Sequence, residues 1–292
     1  MLKLVTFAPA GAPPRLGLLR DGAVAPLDTA LDMTAALALP EAELRALAAA
    51  AGPELPRDAV RILPPVLHPP KIFCVGKNSR VHREELVKQD MLREDPQEPT
   101  GFVKLHATMV GEDAAVERPE GITTLDYEPE LAFVIARRAH RVGHADALSH
   151  VGGITILNDL TAREIQKQEV ISGTRFWTAK NMPGFCPVGP AVVPIWEVPD
   201  PYDLWLTCDV NGERRLRVST AEHIFRIADI IAHFSRWMPL EAGDVIATGA
   251  PRGTAISHPN AAELYLRPGD TCVAGIEGLL QLTTRIVAPG VN

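Results

Sequence analysis

In this chain, Asp126-Tyr127-Glu128-Pro129-Glu130 runs straight into Leu131-Ala132-Phe133-Val134-Ile135. A second apolar run, Val151 to Leu157, ends in Asn158-Asp159, which places Asp159 29 residues after Glu130. Both runs have the length and composition of strands. Side chains at i and i+2 on a strand share a face, so Glu128 and Glu130 point the same way. Carboxylates carried into a core lose several kcal/mol or more of hydration unless something positive meets them. The spacing leaves two arrangements open. One is the wet face of an edge strand, with Asp159 capping a helix. The other is three oxygens converging on a hard divalent cation, Mg²⁺ or Mn²⁺ or Ca²⁺, since no His or Cys lies near them in sequence.

The surroundings narrow the classes of function. With 46% hydrophobic residues over 292 positions, the chain can bury a substantial core,. No apolar run reaches the roughly 18 residues of a membrane span. The N-terminal Met1-Leu2-Lys3-Leu4-Val5-Thr6-Phe7 lacks the layout of a signal peptide,. Cys74, Cys186, Cys208 and Cys272 are scattered without a Cys-x-x-Cys pair, the pattern of reduced thiols,. A net charge of −7 with no basic cluster argues against a nucleic-acid partner,. A cytoplasmic protein acting on a small molecule is the expectation.

Two units are expected. Residues 1–65 read as a small N-terminal domain: a strand at the start, then a hairpin around Arg20-Asp21-Gly22, then a helix from about Pro40 to Ala51 closed by Gly52-Pro53,. Prolines 56, 64, 65, 69 and 70 form a stiff connector,. Residues 71–288 read as a larger domain opening with the strand Lys71 to Val75 and a charged helix from about Ser79 to Leu92. Further strands are expected near 101–105, 130–136, 151–157, 188–193, 204–210, 244–248 and 271–276, with a hairpin at Asn211-Gly212. Ser219-Thr220-Ala221-Glu222 has the form of a capping box, placed to start the clearest amphipathic helix of the chain, striped by Ile224, Ile227, Ile231 and Phe234,. Strands outnumber helices without a β-α alternation, so the class is α+β.

An ordered set of motifs carries a resemblance. Gly76-Lys77-Asn78-x-x-x-His82-x-x-Glu85, Lys104, Asp126-Tyr127-Glu128-x-Glu130-Leu131 and Asn158-Asp159-x-Thr161-Ala162-Arg163 are followed by Lys180, Phe185-Cys186-Pro187 and Gly243-Asp244-Val245-Ile246-Ala247-Thr248-Gly249. Together, from about Lys71 to Val287, they resemble the fumarylacetoacetate hydrolase family. The resemblance implies a mixed β-roll catalytic domain, usually dimeric, with a divalent metal held by Glu128, Glu130 and Asp159. The chain departs from the family pattern at Ser79 (usually Tyr), Leu105 (usually Pro), Glu164 (usually Asp) and Pro183-Gly184, all around the expected pocket.

The family's chemistry is cleavage, decarboxylation or isomerisation of 2-oxo acids that carry a further carbonyl or carboxyl group. The leading expectation is hydrolysis of a C–C bond in a 2,4-dioxo acid, with the metal acting as a Lewis acid. The alternatives are decarboxylation or isomerisation of 2-oxo diacids in aromatic catabolism, and a metabolite-binding homologue without catalysis. His82 and Glu85, three apart on a helix, are expected as a water-activating pair. Lys180 is expected to pair with developing negative charge, and Gln166 to donate to it or hold water. Asn78, Lys104, Thr248 and Gly249 are expected around the substrate, with Arg163 bracing them.

Overall fold

A computed structural model describes residues 1–81, 83–84, 97–174 and 176–290. The fold is α+β, a roll of mixed β-sheet with a few helices laid on its faces. The long sheet runs through Ala23–Pro26, Arg15–Arg20, Leu4–Pro9, Cys186–Pro194, Val151–Asn158, Pro129–Ile135, Val245–Ala247, Ile72–Gly76 and Thr100–Lys104 in that spatial order. Sequence-distant segments meet here: the N-terminal hairpin joins the rest where Leu4 pairs with Val192. A second sheet holds Glu213–Ser219, Trp205–Val210, Thr271–Ile276, Leu280–Val287 and Ala114–Glu117. Most pairs are antiparallel, but Val245–Ala247 runs parallel to Ile72–Gly76 and Leu280–Val287 parallel to Ala114–Glu117.

Alternation along Pro129–Ile135 decides which face the site occupies. Leu131, Phe133 and Ile135 pack with Phe73, Ile246 and with Ile227, Ile230 and Ile231 of the helix Ile227–Trp237. Ala132 and Val134 face the other way, with Cys74, Leu157, Cys186 and Ala247, against the helices Met33–Leu37 and Glu41–Ala49. Glu130 continues the second set. The carboxylates therefore emerge at one end of a sheet face that is otherwise covered by apolar side chains.

Two expectations are corrected. Ser219 does not start the amphipathic helix. Its hydroxyl accepts only from Ala221 in the single turn Thr220–Glu222. The chain at 223–225 is instead drawn out straight by Asn78, which accepts from Phe225 N and receives Ile224 N on its carbonyl. The helix then begins at Ile227, with Asp229 accepting from Arg226 N. Here a tertiary contact overrides a local capping signal. The strand Leu280–Val287 was not expected, although its inward residues Leu280, Leu282 and Ile286 alternate with exposed Gln281 and Arg285. Among the described residues, no helix is long and apolar enough to cross a membrane.

Candidate active site

Backbone pairing sets the carboxylates before any side chain is considered. Pro129 pairs with Asn158 and Glu130 with Leu157. Just ahead of that ladder, Glu128 donates its N–H to Asn158 Oδ1 and accepts Asp159 N–H, each at 2.9 Å. Asn158 thus acts as a clamp that lays Glu128 beside Asp159. All three expected ligands are nearly fully buried: Glu128 is 3%, Glu130 1% and Asp159 0% exposed.

Three cations answer them. Lys180, on the turn Thr178–Lys180, places Nζ 2.5 Å from both Glu128 Oε2 and Asp159 Oδ2, and 2.8 Å from Thr161 Oγ1. The rings of Phe102 and Phe176 lie 5.1 and 5.9 Å from the same ammonium,. Lys104 Nζ donates to Asp159 Oδ1 at 2.7 Å, to Phe185 O and to Lys180 O. Arg163, at the start of the helix Arg163–Ser172, reaches Asp126 with Nε and Nη2, Glu128 Oε1 at 2.6 Å, and Gln166 Oε1 at 2.9 Å. Asp126 is also capped by the N–H groups of Tyr127, Ala255 and Ile256.

The electrostatics follow from burial and proximity. Burial by itself works against the Lys180 ammonium, but Asp159 and Glu128 outweigh it and hold its pKa above the usual lysine range. With no metal bound, these two carboxylates favour the charged form of Lys180,. Glu130 goes the other way: burial first, then the charges of Asp159 and Glu128, push its carboxyl well above the ordinary range. The described residues give it one hydrogen bond, from Gly249 N at 2.8 Å. Formally, four buried carboxylates (Asp126, Glu128, Glu130, Asp159) face three buried cations (Lys104, Arg163, Lys180), leaving one negative charge in excess. A small divalent cation is what such a donor set lacks, so the residues fit one.

A second grouping of potential donor atoms overlaps the expected three. Among the described residues, the ligand atoms that come within 4.8 Å of one another belong to Cys74, Glu130 and Asp159. Glu128 is not in that trio; Arg163 and Lys180 meet its two oxygens. Cys74, not among the ligands expected from the sequence, lies far from the carboxylates along the chain. Sheet register supplies the link: Cys74 pairs with Ala247, and Ala247 with Ala132, which places it on the Glu130 face of the sheet. Burial, then Asp159 and Glu130, push the Cys74 thiol well above its usual value. Cys186, likewise buried, is pushed up to about 12, consistent with a packed thiol and not a nucleophile,.

The remaining expected residues divide. Gln166 and Lys180 line a cavity of about 30 Å³ together with Val75, Phe102, Glu128, Glu130 and Phe176. That volume suits an ion or a water molecule. Roomier grooves of about 240 and 390 Å³ lie at the N-terminal hairpin and include none of the carboxylates. Asn78 spends its amide on Phe225 O, Thr248 O and Phe225 N, so it positions a loop. Thr248 Oγ1 donates to Leu131 O, and the Gly249 N–H goes to Glu130 and not to open space. The His82 and Glu85 assignments lie outside the described residues. The departure at Leu105 has a reason: its N–H donates to Asn181 Oδ1 at 2.5 Å, a bond proline lacks,.

Gly249 is required by geometry. Its φ is +104°, and an added Cβ would stand 2.6 Å from Val75 O and 2.9 Å from Asn78 Cβ. Gly249→Ala is expected to cost about 2–3 kcal/mol, read as a lowered Tm by calorimetry. It also moves the N–H away from Glu130.

The fold and this buried carboxylate–lysine cluster place the chain in a class, and comparison with known proteins agrees. Residues 71–287 match the fumarylacetoacetate (FAA) hydrolase C-terminal domain. The chain belongs to the fumarylacetoacetate hydrolase family. It is 36% identical over 244 residues (83% of this chain, 74% of the relative) to the human mitochondrial oxaloacetate tautomerase FAHD2A. It is 37% identical over 229 residues (78% and 73%) to the oxaloacetate tautomerase YisK of Bacillus subtilis. Among solved structures, a fumarylacetoacetate hydrolase from Exiguobacterium antarcticum aligns with TM-score 0.80 and 33% identity over 99% of this chain and 100% of that one. A 2-hydroxyhepta-2,4-diene-1,7-dioate isomerase from Mycobacterium marinum aligns with TM-score 0.77 and 28% identity over the same shares. Family members of this kind typically bind a divalent metal.

Proposed function

We propose that this protein is a divalent-metal-dependent isomerase that interconverts the enol and keto forms of a small 2-oxo diacid of the oxaloacetate type. C–C bond hydrolysis becomes the second reading. One observation carries the proposal: the Lys180 ammonium sits buried at the junction of Glu128 and Asp159, in a cavity that Glu130 also lines. Glu128, Glu130 and Asp159 would hold the cation, Mg²⁺ or Mn²⁺ by the hardness of their oxygens. When bound, it supplies Lewis-acid polarisation of a 2-oxo group.

The chain's own residues do the rest. Lys180 offers N–H donors to the oxygen that gains charge as the enol forms, and Phe102 and Phe176 shield that charge from water,. Arg163 fixes Glu128 and Gln166 in place. The carboxylates among the described lining residues are committed to cations or to N–H donors, so these residues serve polarisation more than activation of water. Proton transfer at carbon falls to His82, oriented by Glu85, a role that rests on the family motif alone. The names of the two curated relatives, both oxaloacetate tautomerases at 36–37% identity, favour isomerisation over hydrolysis. We carry a homodimer with this reading, which light scattering checks.

A spectrophotometric assay of enol-to-keto conversion of oxaloacetate, run beside pyruvate release from an acylpyruvate, tests the choice. Metal-stripped protein should be inactive in the first assay and recover with Mg²⁺ or Mn²⁺. Pyruvate release with no effect on the enol would instead establish the hydrolase.

Glu130 gives a separate prediction. A carboxyl whose folded pKa is raised favours folding only while it is protonated; that contribution is lost as pH rises through the raised value,. Glu130→Gln should therefore match the wild type in metal-free stability at acid pH. At neutral pH it should exceed it by about 1 kcal/mol, or about 2–4 °C in Tm. The same variant should lose the Tm gain that Mn²⁺ gives the wild type.

A further inference from the structure

We propose that Cys74 gives this site a second, thiophilic face: with Glu130 and Asp159, its sulfur takes a borderline or soft divalent cation such as Zn²⁺ or Cd²⁺. The proposal rests on the reading that Glu130 and Asp159 hold a divalent ion. The first support is geometric. Three atoms no farther than 4.8 Å apart all lie within about 2.8 Å of one common point, the circumradius of an equilateral triangle of that side. Zinc bonds of about 2.3 Å to sulfur and about 2.0–2.2 Å to oxygen need each ligand to close by roughly half an ångström.

The second support is how the sheet seats the thiol. Cys74 lies in mid-strand, paired with Ala247 on one side and Phe102 on the other. Ala247 in turn pairs with Ala132. These two neighbours are small, and the sulfur comes within 4.8 Å of an oxygen of Glu130 and of Asp159. All three ligands are at most 1% exposed. Lys104 and Lys180 each hold one Asp159 oxygen, so a soft ion there shares Asp159 with an ammonium and draws its added strength from the Cys74 sulfur. Oxygen-preferring ions gain little from a thiol, whereas zinc and its heavier congener gain a strong bond. As the metal–sulfur bond forms, the thiol proton leaves to solvent and no electrons are transferred. The soft ion shares Glu130 and Asp159 with the hard one, so the two exclude each other.

The test uses Cd²⁺ as the probe on full-length, metal-stripped protein, with Mn²⁺ binding followed in parallel by electron paramagnetic resonance. The wild type is expected to show a thiolate-to-cadmium charge-transfer band saturating at one ion per chain, with bound Mn²⁺ displaced. Cys74→Ala and Cys74→Ser are expected to lose the band and about tenfold or more of the Cd²⁺ affinity, while Mn²⁺ still binds. Cys186→Ala is expected to keep the band. Cadmium bound by the wild type without the band overturns the proposal, with no variant needed. So does a band that survives in both Cys74 variants. If Mn²⁺ binds and Cd²⁺ does not, the proposal fails alone; if neither ion binds, the metal reading fails and takes the proposal with it.

Discussion

Replacing Lys180 by methionine is expected to lower turnover by about 10²–10³-fold, the usual loss when one preorganised donor is removed from developing charge. Methionine keeps the length and the contact with Phe102 and Phe176 but carries no charge. Two consequences separate this from general damage. Lys180 Nζ lies 2.5 Å from Glu128 Oε2 and Asp159 Oδ2, so its loss leaves those carboxylates short of a cation. Mn²⁺ affinity should therefore rise while kcat falls, and the metal-free protein should melt lower than the wild type. Unchanged kcat with loaded metal would remove Lys180 from the chemistry.

Replacing Arg163 by leucine should produce the largest loss of stability. One guanidinium serves Asp126 through two nitrogens, Glu128 at 2.6 Å and Gln166 at 2.9 Å, and is itself 3% exposed. Leucine leaves buried Asp126 without its cation and Glu128 with Lys180 alone, a change that costs about 3–5 kcal/mol, or about 10 °C in Tm. Arg163→Lys restores the charge but cannot span Asp126 and Glu128 with a rigid fork, so its melting point should fall between the two. Calorimetry on the three proteins decides this. A leucine variant as stable as the wild type would mean the cluster is not held by Arg163.

The central hairpin was legible in the sequence because its signals are local. Leu131 to Ile135 and Val151 to Leu157 form strands close to where their composition placed them, and the acids at their ends fall side by side. Lys180 was placed through its motif, and its partners could be seen only once the turn at 178–180 folded over Asp159. What the sequence hid was non-local. Cys74 joins the acids through pairing of strands that lie far from Glu130 in the chain, and no window of residues carries that register; Lys104 was expected near the substrate, but not its ion pair with Asp159. Asn78, Thr248 and Gly249 sit at the site, yet their hydrogen bonds go to backbone and to Glu130. A motif marks such residues as important without saying whether they touch a ligand or hold those that do. The mistaken helix start at Ser219 has the same root, since Asn78 at 147 residues' distance fixes Phe225.

The most direct measurement is a Mn²⁺ titration of chelator-treated protein, with the resonance of the free ion reporting what remains unbound, on the wild type and on Glu130→Gln. A buried knot of acids one positive partner short should take up a single ion per polypeptide, and the amide variant, though at least as well folded, should take up none. Equal uptake by both proteins would mean that the cation sits elsewhere or that these acids never hold one.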